Sequence, residues 1–186
     1  MVGNYRGVLD CFAPLPKMGP SICRMRTRKS WREKLADSKG LPRIERIPPK
    51  LAGRWGTGTL LIPAPCEVDE LMRRVPRGKL TTINEIRAAL AWKHRTSVCC
   101  PITTGIFAWI AANAAAEAAA VGRKRITPYW RTLKSQGQIN ERYPGGPKAS
   151  CRQLRAEGHR LLKRGARYFV PNFKHSLFPL TPQQRN

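Results

Sequence analysis

The residues able to do chemistry in this chain are few, and their densest run is Ile126 to Gly146, ITPYWRTLKSQGQINERYPGG. It holds Pro128, two aromatics (Tyr129, Trp130) and Arg131, then a Ser135-Gln136-Gly137 turn and a Tyr143-Pro144-Gly145-Gly146 corner. Aromatic rings stack on nucleobases, arginine pairs with phosphate or carboxylate, and glycine lets a backbone turn sharply. The candidate nucleophiles are cysteines 11, 23, 66, 99, 100 and 151, without a Cys-x-x-Cys pair or a Cys/His ligand spacing. No metal site or cofactor is expected from such a set. Cys99 and Cys100 are adjacent and cannot bridge each other without strain. His94, His159 and His175 stand alone and are expected to be solvated surface residues.

Charge sets the class of partner. Lys and Arg number 35 against 11 Asp and Glu, a formal net charge of +24. That excess calls for a polyanion, and nucleic acid is the expected one. The charge is clustered. Residues 122–167 carry 13 basic residues against two acids, residues 1–54 carry 13 against four, and residues 55–121 carry seven against five. The centre therefore reads as core and the flanks as the electrostatic footprint. No basic amphipathic helix or lipidation motif points to a membrane surface. The apolar stretch Ile106 to Val121 contains Asn113 and Glu117 and is too short to span a bilayer. The opening residues lack the apolar run of a signal peptide. A cytoplasmic protein with reduced thiols is expected, nucleoid-associated in a bacterium.

The elements that must position these groups follow from caps and breakers. Residues 1–28 lack periodicity and end in a basic run, which predicts a disordered basic tail. Ser30-Trp31-Arg32-Glu33 has capping-box spacing and opens a short helix to about Asp37. Leu41 to Gly58 reads as an extended, proline-punctuated connector, and Thr59 to Ile62 as a buried strand. Pro65 begins a helix over about Cys66 to Val75, acidic early and basic late as the helix dipole favours. Thr82-Ile83-Asn84-Glu85 opens a second capped helix to about Lys93. His94 to Pro101 reads as a loop. Thr103 or Thr104 caps the next helix, which Gly122 stops. Two capped helices joined in this way fit a helix-turn-helix. Pro147 starts a helix to about Glu157, Arg167 to Val170 is a short strand, and 171–186 reads as a polar tail.

The order of parts from Val75 to Gly158 resembles the DNA-binding domain of O6-alkylguanine-DNA alkyltransferases (methylated-DNA–protein cysteine methyltransferases). Within that family it is closest in type to the alkyltransferase-like proteins that lack the acceptor cysteine. The matching segments are Val75 to Ile86, the helix reaching Asn113, Pro128-Tyr129-Trp130-Arg131, Ser135-Gln136-Gly137, Tyr143-Pro144-Gly145-Gly146 and Ala156-Glu157-Gly158. In the family a Pro-Cys-His-Arg motif carries a thiolate that accepts an alkyl group from a flipped-out guanine. Tyr129 stands at the thiol position here and Trp130 at the histidine, with Glu157 retained. A phenol of pKa about 10 does not replace a thiolate as acceptor at neutral pH. The resemblance thus implies a DNA binder without alkyl-transfer activity and without a catalytic residue. The family's base-rotating tyrosine corresponds to Ile83 and its arginine finger to Thr104.

The expected fold is mostly α with short strands, a winged helix-turn-helix DNA-binding domain with an N-terminal extension. The expected layout is a tail over 1–28, an extension over 29–64 packing on the core, the winged-helix domain over 65–170 and a C-terminal tail over 171–186. Tyr129, Trp130, Arg131, Asn113, Tyr143 and Glu157 are the lesion-pocket candidates, with Asn113 tying its helix to the pocket loop. Tyr129 and Trp130 either stack on a base or fill a collapsed pocket, and Arg131 either contacts DNA or pairs with Glu157 or Glu141. The DNA-binding candidates are Thr82, Thr103, Thr104, Lys134, Ser135, Gln136, Gly137, Gly145, Gly146, Lys148, Arg152 and Arg155, and Arg142 joins the same basic patch. Three functions compete. One is a non-enzymatic binder of alkylated or distorted double-stranded DNA in repair. By resemblance it would be a monomer handing its lesion to nucleotide excision repair proteins. The second is a binder of undamaged DNA or structured RNA with a filled pocket. The third is a transferase using Cys99, Cys100 or Cys151.

Overall fold

The computed structural model describes residues 28–181, in which six α-helices and three small sheets form a mixed α/β fold. Helix α1 (Trp31–Ala36) starts at the expected capping box. The Ser30 hydroxyl accepts from the Glu33 amide at 3.1 Å and the Glu33 carboxylate accepts from the Ser30 amide at 2.7 Å. The connector expected over Leu41 to Gly58 is instead ordered as strand β1 (Arg43–Arg46) and helix α2 (Pro49–Trp55). Its prolines do not break these elements: Pro49 occupies the first helical turn, where no amide donor is needed.

Strand β2 (Thr59–Ile62) is antiparallel to β1 and parallel to β4 (Val98–Cys99), which gives the order β1-β2-β4. The loop expected over His94 to Pro101 therefore contains a strand. Its two residues are held by Leu60 and Leu61, distant in sequence, and just before them Ser97 forms a reciprocal pair with Thr59 in which each hydroxyl accepts the other's amide at 3.2 Å.

Helices α3 (Pro65–Arg74), α4 (Ile83–Lys93) and α5 (Pro101–Ala120) enclose the main core. Leu61, Val68, Met72, Ile86, Leu90 and Ala111 are buried there without exposed surface. Thr82 caps α4, its hydroxyl accepting from the Glu85 amide at 3.3 Å. The capping expected for α5 is different: the helix begins at Pro101 with Cys100 as N-cap, so Thr103 and Thr104 lie inside its first turn. Thr104 donates to the Cys100 carbonyl at 2.7 Å, and its hydroxyl lies 3.3 Å from the Cys99 sulfur.

A second core gathers Leu80, Leu133, Ile139, Cys151, Leu154 and Val170. Strand β3 (Thr81–Thr82) lies parallel to β5 (Thr132–Leu133), and helix α6 (Gly146–Ala156) covers them. Strands β6 (Leu162–Arg164) and β7 (Arg167–Phe169) form an antiparallel hairpin. The polar tail expected from 171 is, as far as 181, packed structure. Leu177 bridges to Leu80, the Phe178 amide donates to the Leu80 carbonyl at 2.8 Å, and Leu180 is buried in the main core. Phe173 lies over Gly137, where an added Cβ would come within 2.4 Å of its ring. The basic tail expected over 1–28 lies, but for Arg28, outside the described residues. No described helix is long and apolar enough to cross a membrane.

Candidate nucleic-acid interface

The Pro-Tyr-Trp-Arg segment forms a short 3-10 turn, Tyr129–Arg131, that leads directly into β5. Because β5 pairs with β3 and α6 packs on the same core, Glu157 at the C-terminus of α6 meets this turn. Glu157 is the hub. Arg131 reaches both its oxygens, from Nε at 3.0 and 2.9 Å and from Nη2 at 2.8 Å, while Trp130 Nε1 donates at 2.8 Å and the Gly78 amide at 3.2 Å. The remaining Arg131 nitrogen, Nη1, donates to the Val75 carbonyl at 2.7 Å. Burial pushes the Glu157 carboxyl up, but the donors from Arg131, Trp130 and Gly78 outweigh it and hold the group below its ordinary value. Arg131 and Glu157 side chains are 14% and 6% exposed. The pair is a closed internal lock, and of the two readings of Arg131 the ion pair to Glu157 is the one realised.

Tyr129 is half-buried and packs against the main core. Its ring stands edge-on to Trp130 at 5.4 Å and to Tyr143 at 5.6 Å, and its hydroxyl lies 3.4 Å from the Pro144 carbonyl. Burial pushes both phenols, Tyr129 and Tyr143, above their ordinary range. The three rings pack on one another edge to face, while the polar ends of Tyr129 and Trp130 turn to Pro144 and Glu157.

The open space lies next to them. A groove of about 960 Å³ runs between α5 and the loop 133–143 and is lined in part by Ile83, Ile102, Ile106, Trp109, Leu133 and Tyr143. Ile102, Ile106 and Trp109 are 64%, 47% and 36% exposed, and α5 has no lysine or arginine anywhere in its 20 residues. Lys134 and Arg142 edge the groove. The tie expected from Asn113 is made elsewhere. Its amide donates to the Trp109 carbonyl one turn back at 2.8 Å, and Trp109 Nε1 joins the loop by donating to the Arg142 carbonyl at 3.0 Å. Sequence reasoning passed over Ile102, Ile106 and Trp109. Their signal was present as apolar residues spaced four and three apart on a helix whose opposite face is alanine.

The expected basic patch divides. Lys134 is paired with Glu141 at 2.7 Å, and Gln138 shares the same carboxylate at 3.4 Å. Lys148, Arg152 and Arg155 are exposed and fall on one side of α6, opposite Ser150, Cys151 and Leu154, which are buried. Ser135 and Gln136 are exposed at the tip of a turn closed by the Gly137 amide on the Lys134 carbonyl at 3.0 Å. Gly145 and Gly146 both have positive φ, 74° and 67°, and turn the chain into α6. Thr82 and Thr104 are buried, and the Thr103 hydroxyl is buried without a partner. His94 departs from the expected solvated state: it is half-buried, 2.8 Å from Glu67, which also takes Lys93. His159 is half-buried as well, and burial lowers its pKa.

No protein-family model matches the chain, and no curated protein matches it. Among solved structures the chain is similar to an alkyltransferase-like protein. That protein is S. pombe Atl1. The likeness to Atl1 in complex with damaged DNA containing O6-carboxymethylguanine has a TM-score of 0.43 at 18% identity, over 63% of this chain and 94% of that one. For a second Atl1 complex with DNA the TM-score is 0.40 at 17% identity, over the same shares.

Proposed function

We propose that this protein is a non-enzymatic binder of double-stranded DNA, of alkyltransferase-like type, that recognises an alkylated or distorted base in repair. The observation that carries the reading is the apolar groove beside the Tyr129–Arg131 turn, open between α5 and the loop 133–143. An apolar slot of this size with aromatic walls, at Trp109 and Tyr143, accommodates an unstacked base. Ile102, Ile106 and Trp109 add the kind of apolar side chains that wedge between base steps. Lys148, Arg152 and Arg155 then supply phosphate contacts from α6. In this reading α4 and α5 act as a helix-turn-helix and the β6–β7 hairpin as its wing.

Two of the thiols on which a transferase would rest, Cys99 and Cys151, are poorly placed for that role. Cys99 is buried beside Thr104, and burial pushes its thiol up to about 11. Cys151 is raised in the same direction. A thiol held protonated is a poor acceptor of an alkyl group.

One observation favours a second reading. In the Trp130–Arg131–Glu157 lock every side-chain nitrogen has an internal partner, as expected of a binder of undamaged DNA or structured RNA whose pocket is filled. One comparison separates the two. The lesion reading expects tighter binding to a duplex carrying O6-alkylguanine than to the same duplex undamaged. Equal affinities across a salt series would overturn it in favour of the second. A labelled alkyl group appearing on the protein would overturn both.

A further inference from the structure

A second pocket lies away from the groove, where α1, α3 and the C-terminal half of α5 meet the segment 123–127. Its volume is about 310 Å³, at the small end of ligand pockets, and four arginines line it: Arg32, Arg73, Arg123 and Arg125. Asp69 is the sole carboxylate in the lining, and it is already consumed. Its Oδ2 lies 2.8 Å from Arg73 Nε and its Oδ1 accepts from the Thr127 hydroxyl at 2.6 Å, while Arg73 also donates to that hydroxyl at 3.0 Å. This triad orients Arg73 in the pocket lining, with its side chain still 59% exposed. Arg32, Arg123 and Arg125 have no acidic partner within salt-bridge distance among the described residues. Glu117 accepts from the Arg32 amide at 3.0 Å rather than from its guanidinium. Three exposed guanidinium groups without an acidic partner around one small cavity favour an anion there, and guanidinium is the side chain whose donors match phosphate oxygens.

The pocket is separate from the groove by geometry. Its α5 residues are Ala114, Ala115 and Ala118, whereas the groove uses Ile102, Ile106 and Trp109. With 3.6 residues per turn and 1.5 Å rise, the two sets lie about 160° apart around the helix and about 15 Å apart along it. A straight stretch of duplex on the groove face does not reach the arginines.

From this geometry we infer that the Arg32–Arg73–Arg123–Arg125 pocket is a second anion site that binds a phosphate group. Two sources share that chemistry: the phosphodiester of a further nucleic-acid segment, and a free phosphate or nucleotide. The site uses Arg32 of α1, Arg73 of α3 and Arg123 and Arg125 of the segment after α5, which the groove leaves without a role, and it does not depend on the groove taking a base.

The test uses the full chain and an Arg123→Gln/Arg125→Gln variant, both at exposed positions. Inorganic phosphate is titrated while the arginine Nε–H resonances are followed, and duplex binding is measured over a salt series. A saturable shift in the wild type, weakened at least tenfold in the variant, supports the site. A salt slope lower in the variant by about 1.8, two contacts at 0.9 each, assigns it to a polynucleotide. A saturable phosphate shift with an unchanged slope assigns it to a free phosphate or nucleotide. No saturable shift together with an unchanged slope overturns the inference. If the double variant is misfolded by circular dichroism, Arg32→Gln gives the same reading with a slope change of about 0.9. The phosphate titration needs no duplex binding, so failure of the DNA-binding reading and failure of this pocket are distinguishable.

Discussion

Glu157 takes hydrogen bonds from Arg131, Trp130 and the Gly78 amide, and so joins three segments that are far apart in sequence. Removing its charge leaves Arg131 buried without its counter-ion. Glu157→Gln is expected to destabilise the protein by about 3 kcal/mol in urea unfolding, the range for breaking a buried pair. The folded-state pKa of Glu157 is depressed below 4.5. Its contribution is therefore present above that value and is lost as pH falls through 4.5 toward the folded pKa. The difference in Tm between wild type and Glu157→Gln should shrink over that acid window, and a difference constant with pH would refute the lock. Tyr129 presents the same question in simpler form. Its hydroxyl bond is long, 3.4 Å, while its ring packs against the core. Tyr129→Phe should change stability by less than about 0.5 kcal/mol, whereas Tyr129→Ala should cost about 3 kcal/mol, as aromatic truncations in cores do. The residue types of the turn were visible in the chain, and Glu157 stood among the partners expected for Arg131; that all three guanidinium nitrogens bond internally was not visible. Its partner is 26 residues away and is brought close by α6.

At the scale of elements, helix starts were the most legible because caps act within one turn. Ser30 with Glu33, Thr82 with Glu85 and Pro65 each open a helix where the local pattern put it. The cap of α5 lies at Cys100 rather than at Thr103 or Thr104, since Pro101 at its first turn makes the threonines unnecessary as caps. The strands were missed where pairing is remote: β1, β3, β4 and β5 are two to four residues long and exist through their partners, while β6 is three exposed residues whose partner β7 is next in the chain. The segment after 171 shows the same dependence. Its polar composition hides Leu180, which is 5% exposed in the main core. Leu180→Ala should lower stability by about 2–4 kcal/mol, and a change below 0.5 kcal/mol would mean that the segment is dispensable. On α6, Arg152→Ala should reduce the slope of log affinity against log salt by about 0.9 without altering stability, if that face lies on phosphates. An unchanged slope would remove α6 from the interface.

For the whole molecule, the formal charge of +24 is the dominant fact, and its placement matters more than its size. The groove proposed for a base and the arginine pocket inferred for a phosphate lie on opposite sides of α5, and together they would divide recognition between the two chemistries. Trp109→Ala should therefore weaken binding to an alkylated duplex more than to an undamaged one, while leaving the salt slope unchanged. An equal loss on both duplexes would count against a base in the groove. The sequence by itself determined the excess of positive charge, the helices with local caps, and the placing of two aromatics, Tyr129 and Trp130, before Arg131. Composition, one-turn hydrogen bonds and motif order are all readable along the chain. Only the tertiary structure decided whether those aromatics stand open or locked, and that the vacant space lies beside Ile102, Ile106 and Trp109. It also decided that four arginines, the outermost separated by 93 positions, share one pocket. Each of these depends on which side chain reaches which partner first, and that is set by packing between elements.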